Sequence, residues 1–141
     1  MQEMTSDEVR DFLMASTRTL KVATVRANGT PHVAPVWFVL DGEELVFTTP
    51  STSLKARNLT ANQHVSVCVD DEQPPFAFVS ASGRATLLPH PDDLIAWTTR
   101  IAARYLGTAE AVSAGTRNAQ IDDLLVRIRV TRLVPYSGVI D

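Results

Sequence analysis

Between Thr19 and Thr49 the chain reads TLKVATVRANGTPHVAPVWFVLDGEELVFTT, three apolar-rich runs punctuated by Asn28-Gly29 and Asp41-Gly42. Both dipeptides tolerate the positive φ of a tight hairpin turn, so the chain must double back twice here. Neighbouring runs that reverse this sharply pair antiparallel, because a parallel pair needs a long crossover. The middle run carries Pro31 and Pro35. Proline has no N–H to give a ladder, which predicts an edge or bulged strand there.

The rest of the chain extends this pattern. QHVSVCVDD reads as a fourth strand, FAFVSASGRATLLP as a long strand bulged at Gly83, and IDDLLVRIRVTRLVPYSG as the last. TSDEVRDFLMAS reads as a short helix, with Thr5 and Glu8 at capping-box spacing and Val9, Phe12 and Leu13 as its apolar stripe. STSLKARNLTAN reads as another, with Leu54 and Leu59 inward. HPDDLIAWTTRIAARYLG is a third, starting near Pro91 and ending at Gly107; Leu94, Ile95, Trp97, Ile101, Ala102 and Tyr105 form its apolar face. TAEAVSAGTRNAQ is small and polar and reads as a loop with some helix. The expectation is a mainly β protein of about six antiparallel strands with flanking helices, closed into a small barrel that leaves few exposed edges.

Composition narrows the function classes. The 141 residues suit one domain, residues 1–141, with no repeat or linker. A net charge of -3 argues against general nucleic-acid binding. No apolar run reaches membrane-spanning length, and the N-terminal MQEMTSDEVR lacks the apolar core of a signal peptide, so a cytoplasmic location is expected. Cys68 is the single cysteine and reads as a buried strand thiol with no activating neighbour. His32, His64 and His90 are scattered without metal-ligand spacing, and Asp70-Asp71-Glu72 reads as a solvated acidic turn, so no metal site is expected. No nucleophile–base set suggests itself either.

The stretch TTPSTSLKARN is different, because it gathers Thr48, Thr49, Ser51, Thr52 and Ser53, then Lys55 and Arg57, at a helix start. A helix start exposes unpaired N–H groups and the positive end of the dipole, so it attracts anions. Hydroxyl donors and cations added there make a phosphate cradle without the glycines of a P-loop. The competing reading is an ordinary helix capped by Ser51 or Thr52, with both cations solvated. Arg127, Arg129 and Arg132 flank the last strand; they read either as an exposed face or as a basic wall for an anion or a dimer contact.

Taken together, ATVRANGTPHVAPVWFVLDGEELVFTT, SLKARNL, HVSVCVD and VSASGRATLL resemble the pyridoxamine 5'-phosphate oxidase-like split β-barrel superfamily. Within it the chain is most similar to the actinobacterial, including mycobacterial, reductases that depend on flavin or on the deazaflavin coenzyme F420. The pyridoxamine phosphate oxidases proper carry Gln-Val-Arg before the glycine of the long strand, where this chain has VSAS before Gly83. That departure argues against vitamin B6 oxidation.

The resemblance implies that Thr48, Thr49, Ser53, Lys55 and Asn58 hold the cofactor phosphate, with Arg57 nearby. It also implies that the backbone of Val36, Trp37 and Phe38 flanks the ring system; the competing reading of Trp37 and Phe38 is core packing, which is the favoured one for Phe38. The expected cofactor is F420, with FMN as the alternative. The expected activity is hydride transfer from reduced F420 to an unsaturated or conjugated small molecule. An FMN-dependent oxidoreductase, or a non-catalytic binder of flavin, deazaflavin or haem, is the competing expectation. A short barrel fills its own interior with side chains, so the flat cofactor is expected between the subunits of a homodimer. TPHVAPVWF and the arginine face of VRIRV are the candidate contact surfaces.

Overall fold

Gly29 and Gly42 have φ of +87° and +61°, so both tight turns form where glycine relieves the steric cost of the left-handed region. The computed structural model describes residues 1–120 and 122–139. In chain order it contains β1 (Gln2–Glu3), α1 (Ser6–Met14), β2 (Leu20–Val25), β3 (Pro31–Val36), β4 (Val39–Asp41) and β5 (Glu44–Pro50). These are followed by α2 (Leu54–Ala61), β6 (His64–Asp70), β7 (Phe78–Pro89), α3 (Leu94–Leu106), α4 (Thr108–Asn118) and β8 (Asp123–Ser137).

The strands form one antiparallel sheet in the order β3-β2-β6-β7-β8-β5-β4, with β1 added beside β8. β3 and β4 stand at opposite ends of that path, yet only Trp37 and Phe38 separate them in the chain. The sheet is therefore curled back on itself, a split barrel with flanking helices. It has eight strands where the sequence pattern predicts about six. The short β1 adds one, and the middle run divides at Trp37-Phe38 to add the other. β3, which carries both prolines, pairs with β2 alone and so is an edge strand.

The barrel interior is filled by the inward residues of each strand, among them Leu20, Val22, Phe38, Phe47, Val67, Val69, Val126 and Ile128, with Leu59 of α2. A second cluster of Val39, Val46, Leu94, Ile101 and Leu125 lies between α3 and the outer face of β4, β5 and β8. These strands are covered on both faces, which is why apolar residues run consecutively in ELVF and DLLV. Ile95 departs from its predicted place on the buried helix face and is 52% exposed.

Several local features match their sequence signals. Thr5 Oγ1 accepts from the Glu8 amide at 3.2 Å and Glu8 Oε1 accepts from the Thr5 amide at 3.1 Å, a reciprocal cap on α1. The β7–β8 register shifts between Ser82 and Gly83. A Cβ at Gly83 would come within 2.2 Å of the Arg129 carbonyl oxygen, so only glycine fits at that bulge.

Three readings need correction. TAEAVSAGTRNAQ is not a loop, because α4 spans eleven of its residues. Its helix is held by packing on α3: Thr98 Oγ1 donates to the Gly115 carbonyl at 2.7 Å, and a Cβ at Gly115 would meet Thr99 Oγ1 at 2.2 Å. Such tertiary support overrides weak local propensity. Arg127 is not part of a free basic wall, since it donates to Asp41 Oδ2 at 2.8 Å and Glu44 Oε1 at 3.3 Å. Cys68 faces outward and is half-buried, opposite Lys21 and Ser80 in register, where the sequence suggests a buried thiol.

Candidate cofactor site

The strand β5 ends in Thr48, Thr49 and Pro50 and turns directly into α2. Ser53 caps that helix, its Oγ accepting from the Ala56 amide at 3.1 Å and lying 2.9 Å from Thr49 Oγ1. The cap accounts for Ala56, and Ser53 O accepts from Arg57 N. Among the described residues the first-turn amides of Leu54 and Lys55 have no backbone partner, as expected for a helix start.

A cavity of ≈ 410 Å³ opens against this corner. Thr48, Thr49, Pro50 and Lys55 form one side of it, and Val36 and Trp37 a second. The remaining wall comes from the α3–α4 excursion: Thr98 and Ile101, then Arg117, Asn118, Gln120 and Asp123. A larger hollow of ≈ 610 Å³ lies elsewhere, between α1, the β4–β5 turn and β8. Asp7, Glu43, Glu44, Arg10 and Arg129 line it; the start of α1 opens on it through Ser6 and Asp7, but with carboxylates and without a hydroxyl cluster, so size alone does not mark the functional site.

Trp37 is 39% exposed and lies flat on Tyr105, with ring centroids 4.9 Å apart and planes 6° from parallel. Tyr105 is fixed in turn. Its hydroxyl donates to the Arg18 carbonyl at 2.9 Å and accepts from the Phe38 amide at 3.2 Å. Burial pushes the Tyr105 phenol above its ordinary pKa, so it stays a neutral donor at physiological pH. Next to it, Arg104 donates to the carbonyls of Leu13 and Phe38, both at 2.7 Å, and stacks over the Phe38 ring at 4.6 Å. Burial lowers the Arg104 pKa from its ordinary value. The break between β3 and β4 is thus held from α3, with Phe38 fully buried and Trp37 turned to the cavity.

Of the residues singled out from sequence, Val36, Trp37, Thr48, Thr49 and Lys55 line the cavity. Phe38, Ser53, Arg57 and Asn58 do not. Phe38 belongs to the barrel core, and its amide is already bonded to Tyr105. Ser53 stands behind Thr49 as the helix cap. Arg57 is exposed outside the lining. Asn58 corrects the reading taken from the resemblance: it is buried and donates to Thr24 Oγ1 at 3.0 Å, tying α2 to β2. Sequence reasoning singled out no residue of the third wall as a ligand contact. The polar run TRNAQIDD was its only signal, and nothing in the spacing joins that run to Thr48.

The donor set suits a ligand with an anion at one end and a flat apolar ring at the other. Thr48, Arg117 and Lys55, with the free Lys55 amide, supply neutral and charged donors. Val36, Trp37 and Ile101 supply apolar wall. Lys55, Arg117 and Asp123 are the ionisable residues of the lining; no histidine, cysteine or tyrosine is among them. Among the described residues no group of three His, Cys, Asp or Glu side chains is placed to hold a metal ion, and no helix is long and apolar enough to cross a membrane.

Comparison with known proteins agrees with this architecture. The structure is similar to the conserved hypothetical protein Rv2991 from Mycobacterium tuberculosis, 27% identical, over 96% of this chain and 86% of that one, with a TM-score of 0.84. It is similar to an F420 reductase, 28% identical, over 88% of this chain and 94% of that one, with a TM-score of 0.73. The haem storage protein HutZ from Vibrio cholerae, 22% identical over 94% of each chain with a TM-score of 0.73, shares the fold. No curated protein matches the chain. The family model described as pyridoxamine 5'-phosphate oxidase matches residues 5–134, nearly the whole length, and the chain therefore belongs to the pyridoxamine 5'-phosphate oxidase family.

Proposed function

We propose that this protein is a reductase that binds coenzyme F420 and passes a hydride to an unsaturated or conjugated small molecule. The observation that carries the reading is the cavity itself, where Thr48 and Lys55 at a helix start face Trp37 across a space of ≈ 410 Å³. That volume lies in the range of small-molecule sites. The 28% identity to an F420 reductase supports the same reading. The deazaflavin would supply the hydride chemistry. The chain's own residues would bind and orient: Lys55 and Arg117 the anionic end, Trp37 and Ile101 the ring.

A homodimer is part of the proposal. The outer face of β3 carries Pro31, Val33 and Pro35, all exposed, and Val33 is 65% exposed. In register beside them stand Val25, Ala23 and Lys21 of β2, then Ser66 and Cys68 of β6 and Ser82 and Ser80 of β7. No described helix covers this flat face of mostly small side chains. Trp37 continues the odd-numbered series of β3 into the cavity, so a second copy seated on β3 would border the cofactor. The contact is assigned to β3 and not to the arginines of β8, because Arg127 is already paired. The unpaired Cys68 fits a cytoplasmic protein.

Titration of the isolated protein with F420 and with FMN, followed by oxidation of reduced F420 with a panel of enones and quinones, tests the function. Tight F420 binding with turnover is expected. Yellow protein that binds FMN in preference would assign the alternative cofactor, and binding without turnover across the panel would make it a carrier. Light scattering on dilution tests the dimer; a monomer that binds cofactor at full affinity would refute it.

A further inference from the structure

Among the described residues, two buried side-chain atoms have no hydrogen-bond partner: His32 Nδ1 and Asp123 Oδ1. His32 lies on β3 and lines neither hollow. Asp123 lines the cofactor cavity and is only 5% exposed. The rest of its hydrogen bonding is complete. Oδ2 accepts from the Gln120 amide at 3.1 Å, the Asp123 amide donates to the Gln120 carbonyl at 3.0 Å, and its carbonyl accepts from the His90 amide at 3.0 Å. The backbone is also locked in register, with Asp123 opposite Pro50 and Leu124 opposite Pro89. One carboxylate oxygen is left over, at a position the fold holds firmly. A buried acceptor without a donor is costly, so it asks for a donor that the described residues do not supply.

We infer that Asp123 recognises a hydroxyl group on the ligand, and that the cavity selects anions carried on a hydroxylated chain. This rests on the proposed flavin or deazaflavin reading and deepens it. The neighbours of Asp123 explain why the donor is a hydroxyl and not the phosphate. Thr48, Thr49 and Lys55 gather on the β5–α2 side, with Arg117 on the opposite wall. A dianion belongs at those donors, and a carboxylate would repel it. Asp123 stands opposite Pro50 in register, at the edge of that corner, so it suits the neutral, donor-bearing segment that adjoins the phosphate. FMN and F420 both have a ribityl chain there, so the inference does not depend on which is bound. The Cγ–Cβ torsion of aspartate is soft, and a turn about it points the open oxygen at the cavity while the side chain stays on its wall. Oδ2 can keep the Gln120 amide only if that turn is small, which sets how closely the hydroxyl must approach.

The test compares two probes by calorimetry: FMN, and a flavin with its phosphate on a plain pentyl chain. Wild-type protein is expected to prefer FMN by about tenfold or more, the usual worth of a hydrogen bond to a charged acceptor. Asp123→Ala should erase that preference, bringing the ratio of the two affinities close to one. Asp123→Asn keeps both the shape and an acceptor oxygen, and should retain part of the preference; it also serves if the alanine variant folds poorly. A preference for FMN that survives in both variants overturns the inference, as does wild-type protein that binds the two chains equally. Wild-type protein that binds neither FMN nor F420 overturns the proposed function as well. The results are distinguishable, because failure of the proposed function shows as absent binding of both cofactors, whereas failure of the inference shows as binding with no chain preference or with a preference that survives both variants.

Discussion

The indole of Trp37 and the phenol of Tyr105 are stacked within 6° of parallel, at 4.9 Å between centroids, although they lie far apart in the sequence. Trp37 belongs to the break in the barrel wall, and Tyr105 to the last turn of α3. Tyr105 therefore acts as a positioning residue: one face of Trp37 is used up by the stack, and the other is left to the cavity. Replacing Tyr105 by leucine removes the stack, worth about 0.5–1.5 kcal/mol beyond area burial. Replacing it by phenylalanine keeps the stack and removes the bonds to Arg18 and Phe38. Tyr105→Leu should weaken cofactor binding several-fold more than Tyr105→Phe, whereas Tyr105→Phe should mainly lower the melting temperature. Equal affinities for the two variants would show that the stack does not shape the site.

Lys55 is half-buried on the cavity wall and has no carboxylate partner among the described residues. Lys55→Ala should lower affinity for F420 or FMN by about ten- to a hundredfold, the expected loss of a charge-assisted contact to phosphate. The melting temperature should hold, because Ser53 and not Lys55 caps α2. Affinity that holds while the melting temperature collapses would make Lys55 structural.

Gly115 lets α4 approach α3 so closely that an added methyl would overlap Thr99. Gly115→Ala should destabilise the protein by about 1–3 kcal/mol, the usual cost of overpacking. It should also weaken cofactor binding, since Arg117 and Asn118 follow on the same helix and line the cavity. Calorimetric melting and a binding titration on the one variant check both effects. A large loss of stability with affinity intact would mean that the α4 wall does not contact ligand.

Burial pushes the Cys68 thiol above its ordinary value, with Asp70 adding to the effect and Lys21 opposing it. The thiolate is the reactive form, so a raised pKa means slow alkylation at neutral pH, rising only above the usual thiol range. The folded form disfavours ionisation, so any stability linked to Cys68 is complete at lower pH and is lost as pH climbs past 9.0. Cys68→Ala should keep binding and turnover. Rapid alkylation near pH 7, or a folded Cys68→Ala variant without turnover, would contradict this.

What could be read from sequence was local. Asn28-Gly29, Asp41-Gly42 and the bulge at Gly83 are fixed by the conformational freedom of single residues, and the barrel followed from them. Thr48, Thr49 and Lys55 were legible because they are nearly contiguous. Arg117 and Asn118 were not, because they reach the cavity only through the fit of Gly115 against Thr99, a relation with no periodicity, and Asp123 was not, because it arrives through its pairing with Pro50. Asn58 shows the opposite error. Its place in a recognisable motif suggested a ligand contact, but the helix is pressed onto β2 there and the amide is consumed by Thr24. The break at Trp37-Phe38 was hidden because the alternation of the strand runs through it. It took Arg104 and Tyr105 to show why the backbone bends.

The excursion that carries α3 and α4 leaves the sheet at Pro89 and rejoins it at Leu124, and these two residues face each other in the β7–β8 ladder. The next step out is closed as well, by the His90 amide on the Asp123 carbonyl. Everything between is a detour that starts and finishes at one point on the barrel. Such a segment can lengthen, shorten or be exchanged while the strand pairing beneath it stays fixed, and the cost of loop closure rises only slowly with length. Yet this detour supplies Thr98, Ile101, Arg117, Asn118 and Gln120 to the cavity. Selection can therefore retune what the cavity admits without renegotiating the fold, and grafting a foreign helical pair between Pro89 and Leu124 is the natural way to give this barrel a different ligand.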